Sequence, residues 1–309
     1  LSKRVLQTIN MKIKGIYMIT TRRDFLKKSL ALGVLASAGA STLKAAQGGK
    51  TIKVGYMAPP SLKPEMFDYA KETGFDGAEL QSAYKDGKFT LFTSPELMAE
   101  FKAASEKTGM PVCSIAAGSY NSFPYVTDDQ ASEALTQCLD ALQYFGAKDL
   151  LLPFFVKGSL NDADGLPINE KNFEPLVKKL KAVAPYAEAR GLYICIENTL
   201  SAKDNIRIID AVGSPNVRMY YDIANAHRYG YDVPAEIRLL GLKYMKRIHF
   251  KDNEGRFNTK NPDVDAAVAA CKAIGYKDWI VLERNFEKNN PTPYWQHNIA
   301  YTKKAFGEI

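Results

Sequence analysis

Four short apolar runs in this 309-residue chain each lead into a residue able to bind a cation or move a proton. YICIENT carries Glu197, VRMYYDIANAH carries Asp222, KRIHFKD carries His249 and WIVLERN carries Glu283. A lone carboxylate beside Ile, Val or Leu is costly, because the charge loses water without gaining a partner. Four such groups gathered at one place offset that cost jointly by holding one divalent cation. Three carboxylates and an imidazole favour Mn²⁺ first, with Co²⁺, Mg²⁺ and Zn²⁺ also compatible. The chemistry open to such a set is proton abstraction next to a carbonyl, with the metal ion stabilising the enediolate and Glu197 and Glu283 exchanging the proton on opposite faces. Lys251 lies two residues past His249, on the same side of a strand, and is a candidate to hold a substrate oxygen. His227, Asn225 and Glu79 are further candidate substrate contacts. The plainer roles are a solvated lysine, a loop-capping histidine and a salt bridge from Glu79 to an inner basic residue. Trp279 and Trp295 read as packing or rim aromatics, and Arg256 as a loop arginine.

The elements that must position these groups recur along residues 50–309. An amphipathic stretch is followed by a glycine, a short loop and an apolar run, with glycines at 74, 109, 146, 191, 213, 241 and 275. Glycine just past a helix end takes the left-handed conformation without steric cost. Leu135, Cys138, Leu139 and Leu142 share one helical face after Asp128 and Asp129 as caps, and Val264, Ala267, Val268, Cys271 and Ile274 share another. With the opening TIKVGYM there are eight strands, each followed by a helix, which predicts one (β/α)₈ barrel with its active site at the strand C-terminal ends. A doubly wound open sheet is the alternative, but the first turn lacks the G-x-G-x-x-G pattern. No glycine-rich phosphate cradle follows strand 7 or 8, which favours a non-phosphorylated substrate.

The net charge of +7 does not signal a nucleic-acid partner. Nine of the 41 Lys/Arg fall in residues 1–46 beside one acid, so the remainder carries a net −1, too little for a binding energy led by phosphate contacts. Thr21-Arg22-Arg23-Asp24-Phe25-Leu26-Lys27 matches the twin-arginine export consensus. A short apolar stretch over 29–40 and small residues near Ala45-Ala46 follow. The apolar run is well short of the roughly 20 residues needed to span a bilayer, so no stable membrane anchor is expected. Residues 1–46 therefore read as an export leader recognised by the twin-arginine machinery, with residues 1–17 an upstream, mis-assigned start, residues 47–309 the catalytic domain and the periplasm the destination. The four cysteines show no C-x-x-C spacing and are expected to be buried free thiols.

The I-E-N, Y-D-x-x-N, I-H-x-K-D and L-E-R strand ends resemble those of the sugar phosphate isomerase/epimerase family of xylose-isomerase-like barrels, which includes D-tagatose 3-epimerase. The resemblance covers about 50–309. It implies Glu197, Asp222, His249 and Glu283 as metal ligands, the two glutamates as the acid/base pair, and a sugar or keto-sugar as substrate. In those epimerases a substrate-binding histidine stands three residues after the metal aspartate, where this chain has Asn225, and a second glutamate stands where it has Lys203. Endonuclease IV shares the superfamily but needs a histidine-rich three-zinc site, and this chain has only His227, His249 and His297. Two other readings use the same residues: a lyase or hydrolase of 3-keto-glycosides, and an exported sugar-binding protein without catalysis.

Overall fold

A computed structural model describes residues 52–59, 63–82, 84–85, 88–89, 94–252, 255–260, 262–283 and 290–307. The twin-arginine leader lies outside the described residues. Eight parallel strands close into a barrel: β1 Lys53–Met57, β2 Gly77–Gln81, β3 Val112–Ala116, β4 Asp149–Pro153, β5 Tyr193–Glu197, β6 Val217–Asp222, β7 Met245–Phe250 and β8 Trp279–Leu282. Closure is made by β1, which pairs with β2 on one side and with β8 on the other, Lys53 opposite Trp279. That pairing excludes the open sheet.

The helices are α1 Met66–Thr73, α2 Pro95–Thr108, α3 Ala131–Phe145, α4 Glu170–Glu188, α5 Ala202–Val212, α6 Ile223–Arg228, α7 Val233–Tyr244, α8 Val264–Ala273 and α9 Thr292–Phe306. The predicted alternation holds, with two additions: the one-and-a-half-turn α6 after β6, and a small hairpin, Tyr84–Lys85 with Lys88–Phe89, after β2. The α3 start differs from expectation. Asp128 accepts from the Gln130 amide, one turn early, and no side chain caps the helix itself. Gly146 and Gly213 end α3 and α5 at φ of 75° and 74°. Gly241 instead breaks α7 from within, at φ 52° and ψ −170°, and the last turn runs directly into β7.

Strand alternation divides the core in two. Val54, Leu80, Ile115, Leu150, Ile194, Ile248 and Ile280 face outward and pack under the helices. Each such fully buried side chain contributes about 1.5–3 kcal/mol. Cys113, Ala116, Leu151, Cys195, Tyr220 and Val281 fill the interior instead. At the floor, Trp279 lies against Gly77, where a Cβ would come within 2.6 Å of the indole. Trp295 is buried against Tyr56 and Phe75. Both tryptophans are packing residues, and neither is among the described lining of the mouth. Arg256 is exposed, with its guanidinium 5.0 Å from the Tyr294 ring. All four cysteines are free and buried, and burial pushes each thiol up to about 12, so none is a nucleophile at neutral pH.

Candidate metal centre

The four predicted ligands converge. Glu197 closes β5, Asp222 closes β6, His249 lies one residue before the end of β7 and Glu283 follows β8. Pairing sets Asp222 opposite His249, and the Glu283 amide extends the ladder by donating to the Phe250 carbonyl. One ligand atom from each residue lies within 4.8 Å of the other three. His249 Nδ1 is 3.2 Å from Glu283 Oε2, 3.7 Å from Glu197 Oε1 and 4.0 Å from Asp222 Oδ2.

Two orienting devices hold this set. Asp222 is the N-cap of α6: its Oδ1 accepts from the Ala224 and Asn225 amides at 2.8 and 2.7 Å, which turns Oδ2 toward the centre. His249 is wholly buried, and Glu79 Oε1 sits 3.1 Å from Nε2. With Nε2 engaged by Glu79, Nδ1 is the nitrogen turned to the three carboxylates, and it is buried with no hydrogen-bond partner. An orphaned imidazole nitrogen facing three carboxylates, with a carboxylate behind the ring, fits a divalent cation of the Mn²⁺ type.

Lys251 Nζ lies 3.0 Å from both Asp222 Oδ2 and Glu283 Oε2, so its ammonium balances two of the three carboxylates. Burial would raise the Glu283 carboxyl, but Lys251 and His249 outweigh it and hold Glu283 well below the usual range. Glu197 has no such cation at contact distance, and burial pushes it up to about 7 despite His249. Burial works against a charged His249, but Glu79, Glu197 and Glu283 hold it protonated well above its ordinary value. The two glutamates thus differ in proton affinity because of their neighbours, the usual mark of an acid/base pair.

The centre opens into a cavity of about 200 Å³ lined by Glu197, Asn225, Lys251 and Glu283 and, on the other side, by Met57, Gln81 and Asn121. Sites for drug-sized ligands run about 300–1,000 Å³, so this one suits a smaller molecule. Two expected substrate contacts need correction. Glu79 is fully buried beneath His249, its Oε2 accepting from Ser114 Oγ at 2.6 Å and Tyr220 OH at 2.7 Å. The plainer reading, an ion pair with an inner basic residue, is the observed one. His227 is half-buried on α6 outside the described pocket lining. Helical geometry explains this, because the turn that aims Asn225 at Glu197, Nδ2 to Oε1 3.3 Å, carries His227 roughly 200° further round. Ser114, Tyr220, Gln81 and Asn121 escaped the sequence reading. Only the Asp222 cap had a local signal, an aspartate directly before a helix-forming run.

The eight parallel strands, closed between β1 and β8, make a (β/α)₈ barrel with three carboxylates and an imidazole gathered at its strand ends. Residues 67–305 match the xylose isomerase-like TIM barrel family, and the chain belongs to it. It is 25% identical over 184 residues to 2-epi-5-epi-valiolone 7-phosphate 2-epimerase of Actinoplanes sp., covering 59% of this chain and 65% of that relative. It is 24% identical over 202 residues to the putative L-ribulose-5-phosphate 3-epimerase SgbU of Escherichia coli, covering 62% of this chain and 68% of that one. Both are named as epimerases. Among solved structures, 3-keto-D-glucoside 4-epimerase YcjR of E. coli superposes with a TM-score of 0.66 at 20% identity, over 82% of this chain and 100% of that one. D-Allulose 3-epimerase of Methylomonas sp. gives 0.67 at 17% identity, over 83% and 98%. These two structures establish the fold.

Proposed function

We propose that the chain is a divalent-metal-dependent epimerase or isomerase of a sugar or keto-sugar, acting by proton transfer at a carbon next to a carbonyl. The observation that carries this reading is the convergence of Glu197, Asp222, His249 and Glu283 on one centre that opens into a small pocket. Glu197, Asp222, His249 and Glu283 would hold the ion. When bound, it supplies charge stabilisation to the oxygens of a carbonyl and its neighbouring hydroxyl, worth several kcal/mol. Glu283, ionised beside Lys251, accepts the proton from the carbon acid. Glu197, on the other side of the centre, delivers a proton to the other face. Lys251 steadies a substrate oxygen, and Asn225 keeps Glu197 in place.

The test joins metal analysis to isotope exchange. A purified, never-chelated sample should contain one divalent ion per chain, and NMR in D₂O should show deuterium entering a candidate keto-sugar at the carbon next to the carbonyl. Loss of an aglycone from a 3-keto-glycoside would favour the lyase instead. Sugar binding without exchange would leave a binding protein.

We also propose that the chain is exported by the twin-arginine pathway, on the motif at residues 21–27. Arg22→Lys with Arg23→Lys should trap it in the cytoplasm. Periplasmic material that still carries residues 18–40 would sink the idea of a cleaved leader.

A further inference from the structure

The ladder between β5 and β6 stops short of the centre. Its last registered pair is Ile196 with Met219, so Glu197 and Asp222 both project past it. Glu197 is in register with Pro153 of β4 on one side, and Asp222 with His249 of β7 on the other. Among the described residues, strand pairing therefore joins Asp222 to His249 but leaves a seam between Asp222 and Glu197. Asn225 Nδ2 reaches Glu197 Oε1 across it at 3.3 Å, at the long end for such a bond. A seam of this kind matters, because a metal site needs its donors held within roughly 0.5 Å of the productive geometry.

One carboxylate spans the seam from outside. Glu236 is half-buried in the first turn of α7. Its Oε1 accepts from the Ala202 amide at 2.8 Å, and its Oε2 from the Tyr221 hydroxyl at 3.1 Å. Tyr221 is buried and directly precedes Asp222. Ala202 opens α5, five residues after Glu197, and the stretch between them is tied down. Asn198 accepts from the Leu200 amide at 2.9 Å, and Asn205 donates to the Leu200 and Ser201 carbonyls at 3.2 and 3.0 Å. The helix that carries Glu236 is anchored as well. Asp232 caps it through the Ala235 amide at 3.0 Å, and Ile237 and Leu240 are buried. Drift of Glu197 away from Asp222 would stretch a hydrogen bond to Glu236.

We propose that Glu236 is a positioning residue that fixes the separation of Glu197 from Asp222 and thereby sets the affinity of the centre for a divalent ion. The inference rests on the metal reading of that centre and deepens it. Helix α7 supplies none of the described lining of the pocket, so Glu236 acts only through the two ligands. Outer partners of this kind set metal affinity by orienting what they hold.

The experiment is calorimetric titration of the chelated full chain with Mn²⁺. Tyr221→Phe removes one of the two anchors at nearly constant shape and should weaken binding about tenfold, the lower end of what outer partners contribute. Glu236→Ala removes both and should weaken it at least as much. Glu236→Gln should stay within about threefold of wild type, because its carbonyl still accepts from Ala202 and its amide can donate to the Tyr221 oxygen. Tyr301→Phe is the control: it deletes a hydroxyl-to-carboxylate bond of the same kind between α9 and α8, 2.9 Å to Asp265 Oδ1, and should leave Mn²⁺ affinity unchanged. Wild-type affinity in Tyr221→Phe, whatever its melting temperature, or an equal loss in Tyr301→Phe, overturns the positioning role and leaves the metal reading standing. If the wild type binds no divalent ion, the metal reading falls and the positioning role with it.

Discussion

Glu79 holds the far side of the His249 ring, its Oε1 3.1 Å from Nε2, while Nδ1 faces the three carboxylates of the centre. Glu79 in turn accepts from Ser114 and Tyr220, and the Tyr220 ring lies 4.3 Å from the imidazole, centroid to centroid. Three donors thus converge on one buried carboxylate. The ring has a fixed orientation before any ion arrives, and an outer carboxylate placed this way raises the basicity of a ligating histidine once Nδ1 gives up its proton.

Glu79→Gln keeps the shape but has a single acceptor oxygen for three donors, and its NH₂ must face one of them. Mn²⁺ affinity should fall about 10–100-fold with the circular dichroism spectrum unchanged. Calorimetric titration of chelated protein reads this directly. Wild-type affinity in Glu79→Gln would reduce Glu79 to a packing role.

The pH dependence of stability follows from the same groups. Glu197 ionises at about 7 in the folded protein against 4.5 ordinarily. A raised folded pKa gives a contribution that is complete below the unfolded value and lost as pH rises through the folded one. His249 behaves alike: its contribution is complete below 6.5 and is lost as pH rises from there through its raised folded value. Glu283 runs the other way and loses its contribution only in acid. Metal-free protein should therefore melt at a lower temperature as pH rises from about 5 to 8, and the Mn²⁺-induced rise in Tm should grow over that range, because the ion takes the deprotonated ligands. A metal effect on Tm that shrinks with pH would contradict these protonation states.

The four clustered residues were legible because an apolar run leading into a charged residue has one economical meaning in a parallel barrel: a strand, and its C-terminal mouth. Glu197, Asp222, His249 and Glu283 all follow that rule, and closure between β1 and β8 only sets how near they come. The side chains that orient them were not legible. Tyr220 and Ser114 meet Glu79 across 141 and 35 residues of sequence, and no local pattern encodes such a meeting. His227 was misjudged for a physical reason. Asp222 starts a helix, and His227, five residues on, is carried out of the described pocket lining.

Lys251 separates charge balance from catalysis. In Lys251→Met the metal-free protein keeps Asp222 and Glu283 without the ammonium 3.0 Å from each. Removing one partner from a buried ion pair typically costs about 3–5 kcal/mol, so urea denaturation of chelated protein should show a loss of that order. Saturating Mn²⁺ supplies the missing positive charge, and most of the difference should disappear. An equal loss with and without the ion would mean that Lys251 contributes chiefly through packing of its stem.

The two glutamates allow binding and chemistry to be told apart. If Glu197 and Glu283 serve only as ligands, Glu197→Gln and Glu283→Gln should lose activity in step with metal occupancy. If they also carry the proton, an amide that still coordinates through its oxygen cannot replace them. Metal-saturated variants should then keep substrate affinity and lose roughly 10²–10⁴-fold in turnover, the usual contribution of a positioned general base. Deuterium exchange at the carbon acid assigns the faces. Glu283→Gln should abolish exchange from the substrate that Glu283 deprotonates directly. Glu197→Gln should still exchange that same substrate with solvent but form no epimer. Loss of exchange in both directions from either variant would mean one proton shuttles between the two. Full turnover in both metal-loaded variants would remove the pair from the mechanism and leave Lys251 as the nearest remaining proton carrier at the centre.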